Sequence, residues 1–474
     1  MERIRSAVVR INNVAQKPSY YSPWQDYGCI SSTGSGFIIE GQRILTNAHL
    51  VSDSKYLEVI KEKSEIPYRA VVSFIGHDCD LAILDVQDKS FFKDTTYLEF
   101  GKNLPGLQST VLVYGFPMGG QRISVTRGVV SRIDYAVYIH PGNYTHLIMQ
   151  IDAALNPGNS GGPVIQDGRV AGVAFQFGEN LQNVGYAVPL TVIGHFLADI
   201  ADGTYDGYPD VPLSCQNLIN GAYRRYLGLK EGMTGVVVST VIERGSAEGF
   251  ILPRDVLVAV DGRPISDDGS ITVGGESYSL GETIERKQVG EPVKFDVIRS
   301  GRLVYCTFPL KKLNAPMVRG NTYDKKPEYF IFGGLIFQPL SLEYLKTWSE
   351  DWWNNADKRL LYYFDCYFSN GIYIKNPEPI VLTRVLPAPV NRHYTGMTNN
   401  VVKKVNGREV KSLRDVIDAF EAARGTYYMV EFDGPHAPCV LDANQVKTEN
   451  AEILRTYGIP RDRCLHGDSS GDHP

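Results

Sequence analysis

Three residues of this chain have the side-chain types and the local settings that nucleophilic catalysis requires. Ser160 lies in a glycine-flanked turn, His49 lies in the apolar run Thr-Asn-Ala-His-Leu-Val, and Asp80 heads the run Asp-Leu-Ala-Ile-Leu. A serine hydroxyl is a weak nucleophile at neutral pH and needs a base, which an imidazole can be. A carboxylate fixes the imidazole tautomer and stabilises its protonated form. The three side chains together therefore indicate an acyl-transfer triad.

The turn around Ser160 also predicts donors for the negatively charged oxygen that forms during acyl transfer. The backbone of Gly158, Asn159 and Ser160 is the predicted oxyanion hole, with N–H groups of Gly158 and Ser160 as its donors. Glycine at 158 permits dihedral angles that other residues avoid. Gly161 and Gly162 leave no side chain in the path of an incoming peptide backbone.

Each of these segments has a simpler interpretation when it is taken by itself. A single histidine is more often structural, a single aspartate is common at a strand end, and Gly-Asn-Ser-Gly is an ordinary loop. The chain order His49, Asp80, Ser160 favours catalysis, because it is the order of a chymotrypsin-type triad. An esterase is disfavoured, since its nucleophile elbow requires a strand–helix setting and a different triad order.

Short strands in residues 1–190 must position the three residues. Apolar runs recur there between Gly, Pro, Asn and Asp residues, a spacing that predicts a barrel or a sandwich, with the first strand under way by residue 7. A helix is predicted over residues 190–201, and its His195 is interpreted as structural. Residues 202–212 are rich in turn residues and are interpreted as a linker.

Two further regions, 212–312 and 326–445, look like diverged copies of one module. Asp261-Gly262 predicts a tight turn between strands, and Asn406-Gly407 matches it in the second copy. In this alignment Phe332-Gly-Gly-Leu stands where Tyr226-Leu-Gly-Leu stood. Residues 412–425 predict a helix capped by Ser412, and the last stretch, 446–474, predicts a short helix near 449–457 and a polar tail.

The composition of the 474 residues excludes several classes of protein. A net charge of -5 and a pI of about 6.0 give no basic footprint for nucleic acid or for an anionic membrane. No apolar run approaches the length of a transmembrane helix, and the N-terminus has no signal-peptide pattern. The seven cysteines are scattered without metal-ligand spacing, so we expect reduced thiols, no metal and no cofactor.

The three catalytic segments resemble those of the HtrA/Deg (DegP-like) serine proteases. Gly34-Ser-Gly-Phe-Ile and Asn183-Val-Gly-Tyr-Ala-Val-Pro are similar to flanking strands and a loop of that family, and the segment Tyr21-Ser-Pro-Trp-Gln is most similar to its plant-type Deg branch. The resemblance covers nearly the whole chain. It implies a mainly β fold, with a chymotrypsin-like double β-barrel protease domain (1–203) followed by two PDZ-like α+β domains.

The resemblance also implies an activity and its residues. The expected protein is a serine endopeptidase that cuts unfolded or damaged polypeptides without ATP or metal, using the triad above. Leu155 would line the specificity pocket and favour small or medium apolar side chains. The loop resembling a receptor for peptide C-termini consists of four residues, Tyr226, Leu227, Gly228 and Leu229.

The resemblance leaves assembly, compartment and one domain less defined. The family assembles as trimers or multiples of trimers. The resemblance implies a soluble protein in a reducing compartment, either the nucleus or an organelle stroma. The alternative is a bacterial periplasm, after removal of a leader. In the second PDZ-like region an aromatic insertion, about 343–370, includes Trp348, Trp352, Trp353 and Tyr362 and puts peptide binding there in doubt. A silent chaperone or PDZ scaffold is the alternative, which the intact triad disfavours.

Overall fold

The structure, a computed structural model, describes residues 2–64, 66–117, 120–153, 155–175, 185–273, 275–313 and 317–466. The chain divides into two compact units. The first unit combines residues 1–15 with 30–314, and the second combines residues 16–29 with 315–474. Among the described residues, the first unit holds two closed barrels, a six-stranded sheet and a two-stranded sheet, and the second unit holds one eight-stranded sheet.

Six antiparallel strands close the first barrel in the order β1-β2-β3-β6-β5-β4. Each strand is a short apolar or alternating run, and the buried side chains fill the barrel. The first strand begins one residue later than the sequence predicts, because a short helix, α1 (Glu2–Ala7), precedes it. The strands are β1 Val8–Ala15, β2 Ile30–Ile39, β3 Arg43–Thr46, β4 Ser54–Lys61, β5 Tyr68–Gly76 and β6 Leu81–Val86.

The second barrel closes in the order β10-β11-β12-β9-β8-β7. Its strands are β7 Thr110–Gly115, β8 Ser124–Val137, β9 Thr145–Ile151, β10 Pro163–Gln166, β11 Arg169–Phe175 and β12 Gly185–Pro189. The predicted helix follows as α2 (Leu190–Asp199). His195 on this helix is buried and stacks on Tyr208 with ring centroids 3.9 Å apart, which suits the structural role expected of it. The expected double β-barrel is therefore confirmed.

A smaller sheet follows the barrels, and we call residues 208–313 the middle domain. Its main strand order is β13-β14-β15-β19-β20, so β13 is an edge strand. Asp261-Gly262 forms the expected tight turn, with φ angles of 45° and 77°. The elements are β13 Leu213–Asn217, α3 Gly221–Tyr226, β14 Val236–Val241, β15 Val256–Val260, β16 Arg263–Pro264, β17 Ser270–Val273, β18 Glu276–Ser279, α4 Gly281–Glu285, β19 Pro292–Arg299 and β20 Arg302–Pro309.

The second unit is built on a sheet of order β27-β26-β24-β23-β22-β21-β28, with β25 paired to β24. Asn406-Gly407 forms the expected turn, and Ser412 caps α9 by accepting a hydrogen bond from the Asp415 N–H. The elements are β21 Tyr329–Phe332, β22 Leu335–Pro339, α5 Leu342–Leu345, α6 Trp352–Asn355, α7 Lys358–Asp365, α8 Ile372–Lys375, β23 Ile380–Val385, β24 Asn400–Val405, β25 Arg408–Glu409, α9 Leu413–Glu421, β26 Tyr427–Phe432, β27 Cys439–Asp442, α10 Ala443–Thr456 and β28 Arg463–Cys464.

The C-terminal stretch differs from its prediction. The helix α10 begins at Ala443, earlier than expected, and packs Val446 and Ile453 into the core of the second unit. The strand β28 then pairs with β21. Residues 443–464 are thus an integral part of this sheet domain rather than an appendage, while the polar tail, 467–474, lies outside the described residues.

The connection from β1 to β2 belongs to the second unit, although both strands belong to the first barrel. Its Trp24 packs edge-on against Tyr329 at 6.4 Å between ring centroids. The guanidinium of Arg384 lies 4.4 Å from the ring centroid of Tyr21. Residues 16–29 are therefore held by aromatic and cation–π contacts with the sheet domain.

The aromatic insertion forms the short helices α5 to α8. Tyr344 and Tyr367 in this region are buried, whereas Trp353 and Tyr362 are about half exposed. The insertion thus contributes to the core of the second unit on one side only. In the part of the chain that the structure describes, no helix has the length and apolarity to cross a membrane.

Two glycines with left-handed backbones allow a stability test of the second unit. A Cβ at Gly334 (φ 80°) would lie 2.6 Å from the Leu386 carbonyl oxygen, whereas a Cβ at Gly407 (φ 76°) would meet open space. We expect Gly334→Ala to lower the free energy of unfolding clearly more than Gly407→Ala, whose cost of roughly 1 kcal/mol is conformational. Urea unfolding followed by tryptophan fluorescence measures both, and equal losses would contradict the packing described.

Candidate active site

Strand pairing brings His49 and Asp80 together. The strand β3 pairs with β6, with Thr46 opposite Ala82, so the end of β3 lies beside the start of β6. His49 follows β3 on a 3₁₀ turn, and Asp80 precedes β6 at the end of a four-residue turn. The His49 backbone N–H donates to Asp80 Oδ1 at 2.8 Å, and His49 Nδ1 lies 2.8 Å from Asp80 Oδ2.

The carboxylate of Asp80 sets the protonation chemistry of the imidazole. Because a carboxylate accepts hydrogen bonds, Nδ1 carries the proton and Nε2 is left as the basic nitrogen. Loss of hydration would lower the pKa of His49, but the charge and hydrogen bond of Asp80 outweigh it and raise that pKa. Burial would raise the pKa of Asp80, yet the opposing effect of His49 lowers it, so the carboxylate stays ionised.

The turn that carries Ser160 is fixed against the first barrel through Ser35 on β2. The Ser35 N–H donates to the Ser160 carbonyl at 2.9 Å, and its Oγ donates to the Gly158 carbonyl at 2.7 Å. A Cβ at Gly161 (φ 80°) would lie 2.1 Å from the Ser35 carbonyl and 2.4 Å from Thr46 Oγ1. The serine turn thus touches Ser35 on β2 and Thr46 at the end of β3, three residues before His49. His49 and Asp80 are joined by hydrogen bonds.

The backbone N–H groups of the predicted oxyanion hole differ in their hydrogen bonding. The Asn159 N–H donates to the Asn156 carbonyl at 3.0 Å and closes the turn, so Asn159 has no backbone donor to offer. Gly158 has a φ of 100°, which a glycine tolerates. Among the described residues, the N–H groups of Gly158 and Ser160 have no protein acceptor. Two of the three predicted positions therefore keep a donor for a bound oxygen.

Leu155 lies in the wall of the second barrel beside β12. A Cβ on Gly185 would lie 2.6 Å from Leu155 Cγ, so the leucine side chain rests directly on that glycine. Leu155 also packs against the barrel core around Val164 and Ile151. Its aliphatic side chain and the missing side chain at position 185 make an apolar surface five residues before Ser160.

Several polar residues beside the triad went unnoticed in the sequence. His77 Nδ1 lies 2.9 Å from His140 Nε2, and the ring of His140 lies 6.2 Å from that of His49. Asp78 is buried as well, and its neighbour Cys79 is fully buried, which raises the pKa of that thiol. Cys79 is thus the inert buried residue expected. The histidines meet only through folding, so no local pattern reveals them.

The structure places the predicted carboxylate-binding loop at the end of a helix. Tyr226 ends helix α3, and Leu227 and Leu229 are buried in a small core cluster. The next strand, β14, pairs on both sides, with β13 and β15. It therefore has no open edge for a peptide. The alignment of Tyr226-Leu-Gly-Leu with Phe332-Gly-Gly-Leu is wrong, because the second segment forms a hairpin turn between β21 and β22.

Comparisons with known proteins agree with this architecture. The family model described as a trypsin-like peptidase domain matches residues 34–173, and the model described as a PDZ domain matches residues 318–466. The HtrA-type protease AlgW with a decapeptide is similar in fold, with a TM-score of 0.51 and 22% identity over 66% of this chain and 98% of that chain.

Curated relatives are similar over nearly the whole chain. "Protease Do-like 4, mitochondrial" from Arabidopsis thaliana is 34% identical over 96% of this chain and 84% of its own length. "Protease Do-like 2, chloroplastic" from the same plant is 34% identical over 97% of this chain and 74% of its own length. "Serine protease DegP homolog" from Plasmodium falciparum is 27% identical, with 97% of this chain covered.

The His49–Asp80 pair generates a pH prediction. We expect Asp80→Asn to lower kcat by about 10⁴-fold, because the imidazole loses its tautomer and its counter-charge. Asp80 raises the pKa of His49, so its removal should move the acid limb of the kcat/KM profile to lower pH. A peptide-hydrolysis pH series measures both effects. An acid limb that stays in place would refute this account of His49.

Proposed function

The chain belongs to the Do-like (HtrA/Deg) family of serine proteases, and on that premise we propose that it is an ATP-independent endopeptidase of unfolded or damaged proteins, with His49, Asp80 and Ser160 as its triad. The observation that carries the proposal is the hydrogen bonding of Asp80 to both the backbone and the ring of His49, beside a serine turn fixed by Ser35. An oriented imidazole next to a serine is the arrangement that activates a hydroxyl nucleophile.

The chemistry then proceeds in the order of serine-protease acyl transfer. Nε2 of His49 takes the proton of Ser160 Oγ as that oxygen attacks the peptide carbonyl, and it later protonates the leaving amine. Asp80 stabilises the imidazolium without becoming protonated. The N–H groups of Gly158 and Ser160 are the proposed donors to the oxyanion, each contributing about 2.7–4 kcal/mol to transition-state stabilisation.

Substrate selection is proposed to follow from the apolar surface of Leu155 and Gly185. An aliphatic side chain before the scissile bond would lose water on binding there, whereas a charged one would find no opposite charge on these two residues. An extended, unfolded segment is the natural substrate, because only such a chain offers both an accessible backbone and an exposed apolar side chain.

We expect Ser160→Ala to abolish cleavage of denatured casein while leaving the fold intact, since the hydroxyl is the nucleophile. Wild-type cleavage should proceed with EDTA present and without nucleotide, and mass spectrometry should place Val, Ala or Ile before the cut. Equal activity of the alanine variant would refute the role of Ser160. Predominantly acidic or basic residues before the cut would refute the role of Leu155.

A second part of the proposal assigns peptide binding to the middle domain as a PDZ module. Peptides bind such modules by adding a strand to an open sheet edge. The strand β13 is an edge of its sheet and is largely exposed, and its first residue, Leu213, is partly buried against the core of the middle domain. In the second unit, by contrast, β22 pairs on both sides, with β21 and β23.

Hydrogen exchange on the Ser160→Ala variant tests this assignment. A peptide with a free C-terminus should slow amide exchange in residues 213–217, because added-strand hydrogen bonds protect β13. The same peptide with an amidated end controls for recognition of the carboxylate. Protection of residues 335–339 instead, or of none of these strands, would contradict the assignment to the middle domain.

Assembly and compartment are proposed on the family alone. We propose a homotrimer or a multiple of it, which light scattering on the Ser160→Ala variant checks directly. The printed names of the Arabidopsis relatives given above refer to mitochondria and chloroplasts. We propose an organelle interior for this chain as well, and immunolocalisation with a chain-specific antibody would decide it.

A further inference from the structure

The turn that carries Asp80 is also held through a second aspartate, Asp78. This turn, residues 77–80, joins β5 to β6, and Asp80 adopts a left-handed backbone with φ 55°. Asp78, two residues before Asp80, is 6% exposed. Both its backbone carbonyl and its carboxylate are engaged by groups from elsewhere in the first unit. The orientation of the Asp80 side chain therefore depends on the groups that bind Asp78.

His146 forms a hydrogen bond with the backbone of the turn 77–80. Its Nε2 donates to the Asp78 carbonyl at 2.9 Å, and its Nδ1 lies 2.8 Å from Glu285 Oε1. His146 is the second residue of β9 in the second barrel, whereas Glu285 is the last residue of α4 in the middle domain. The Asp78 carbonyl can only accept, so Nε2 donates to it, and Nδ1 faces the carboxyl group of Glu285. The ring is 2% exposed and packed by Tyr138 and Tyr208.

Lys312 forms an ion pair with the carboxylate of Asp78. Its Nζ lies 3.3 Å from Asp78 Oδ2 and 3.0 Å from the Asp206 carbonyl, and the Tyr205 hydroxyl donates to Asp78 Oδ1. Lys312 follows the last strand of the middle domain. Burial would raise the pKa of Asp78, but Lys312, Tyr205 and His146 together lower it. The carboxylate stays charged and a breaking of its ion pair would leave it buried without compensation.

We propose that Glu285, His146 and Lys312 are positioning residues for the catalytic aspartate, and that through Asp78 they couple the placement of the middle domain to the turn that carries Asp80. The inference rests on the proposed function, in which Asp80 orients His49. A displacement of α4 or of Lys312 changes the hydrogen bonds of Asp78. The turn 77–80 then changes its backbone conformation, which reorients Asp80. Because the reacting peptide lies against the barrels, the effect falls on kcat rather than on KM.

The test uses the full chain with a short fluorogenic peptide that is cleaved at the barrels. Glu285→Gln and Lys312→Met should each lower kcat roughly 10-fold or more with KM unchanged, since small misplacements of catalytic groups are costly. The acid limb of kcat/KM should also move to lower pH, in the direction expected for Asp80→Asn. Glu285→Asp, which keeps the charge, should recover part of the activity.

Asp255→Asn is the matched control. Asp255 pairs with Arg299 at 2.6 Å inside the middle domain and does not contact the turn. The Asp255→Asn variant should have a lower melting temperature but an unchanged acid limb in its kcat/KM profile. If the acid limb moved in Asp255→Asn as well, the shift would reflect general destabilisation and would overturn the proposal. Unchanged kcat and pH profile in both Glu285→Gln and Lys312→Met would also overturn it.

A double-mutant cycle separates this inference from the triad itself. If Glu285 acts through Asp80, Glu285→Gln should slow fluorophosphonate labelling of Ser160 in the wild-type background and add nothing in the Asp80→Asn background. Additive losses would overturn the positioning role while leaving the triad intact. An unreactive wild-type protein would refute the proposed function, and the positioning role with it.

Discussion

The contact of Ser35 with the serine turn is the interaction on which the active-site region depends. One residue of β2 uses its N–H, its hydroxyl and its carbonyl against the second barrel and β3, through Ser160, Gly158 and Thr46. The Phe116 N–H also donates to its hydroxyl at 2.8 Å. A buried polar group with every partner in place specifies one arrangement, because each alternative leaves a donor or acceptor without a partner. The two barrels can thus meet in only one register at the site.

Buried charge gives the site a second constraint. Asp78 and Asp80 lie two residues apart in one turn, and two carboxylates so close are tolerated only if each has its own cation or donors. His49 serves Asp80, while Lys312, Tyr205 and His146 serve Asp78. Because Lys312 belongs to the middle domain, this division of partners links that domain to the proposed catalytic site. Lys312 supplies a cation to the turn that carries Asp80, the aspartate of the proposed triad.

The second unit shows how far a repeat pattern can be taken. The Asn406-Gly407 turn and the helix after Ser412 form as the pattern predicts, because turn and cap chemistry are local. The alignment of Phe332-Gly-Gly-Leu with Tyr226-Leu-Gly-Leu is wrong, because similar letters fill a hairpin turn in one place and a helix end in the other. Which strand has a free edge follows from sheet pairing, and the sequence does not encode pairing in any short motif.

The sequence by itself determined a β-rich first region, the candidate triad and the Asp-Gly and Asn-Gly turns, since these depend on periodicity, residue chemistry and chain order. The choice of a double barrel over a sandwich came from the family resemblance. The tertiary structure alone decided that the Asn159 N–H is used within its turn and that β13 lies at an edge of its sheet. It also decided that residues 16–29 join the second unit and that His146, Glu285 and Lys312 converge on Asp78. Those facts arise from contacts between residues far apart in the chain, 234 positions for Asp78 and Lys312 and 362 positions for Ser22 and Arg384, and hydrogen bonds at such separations leave no periodic signal. The serine turn recognised first in the sequence is therefore only the local part of a site that distant residues hold in place.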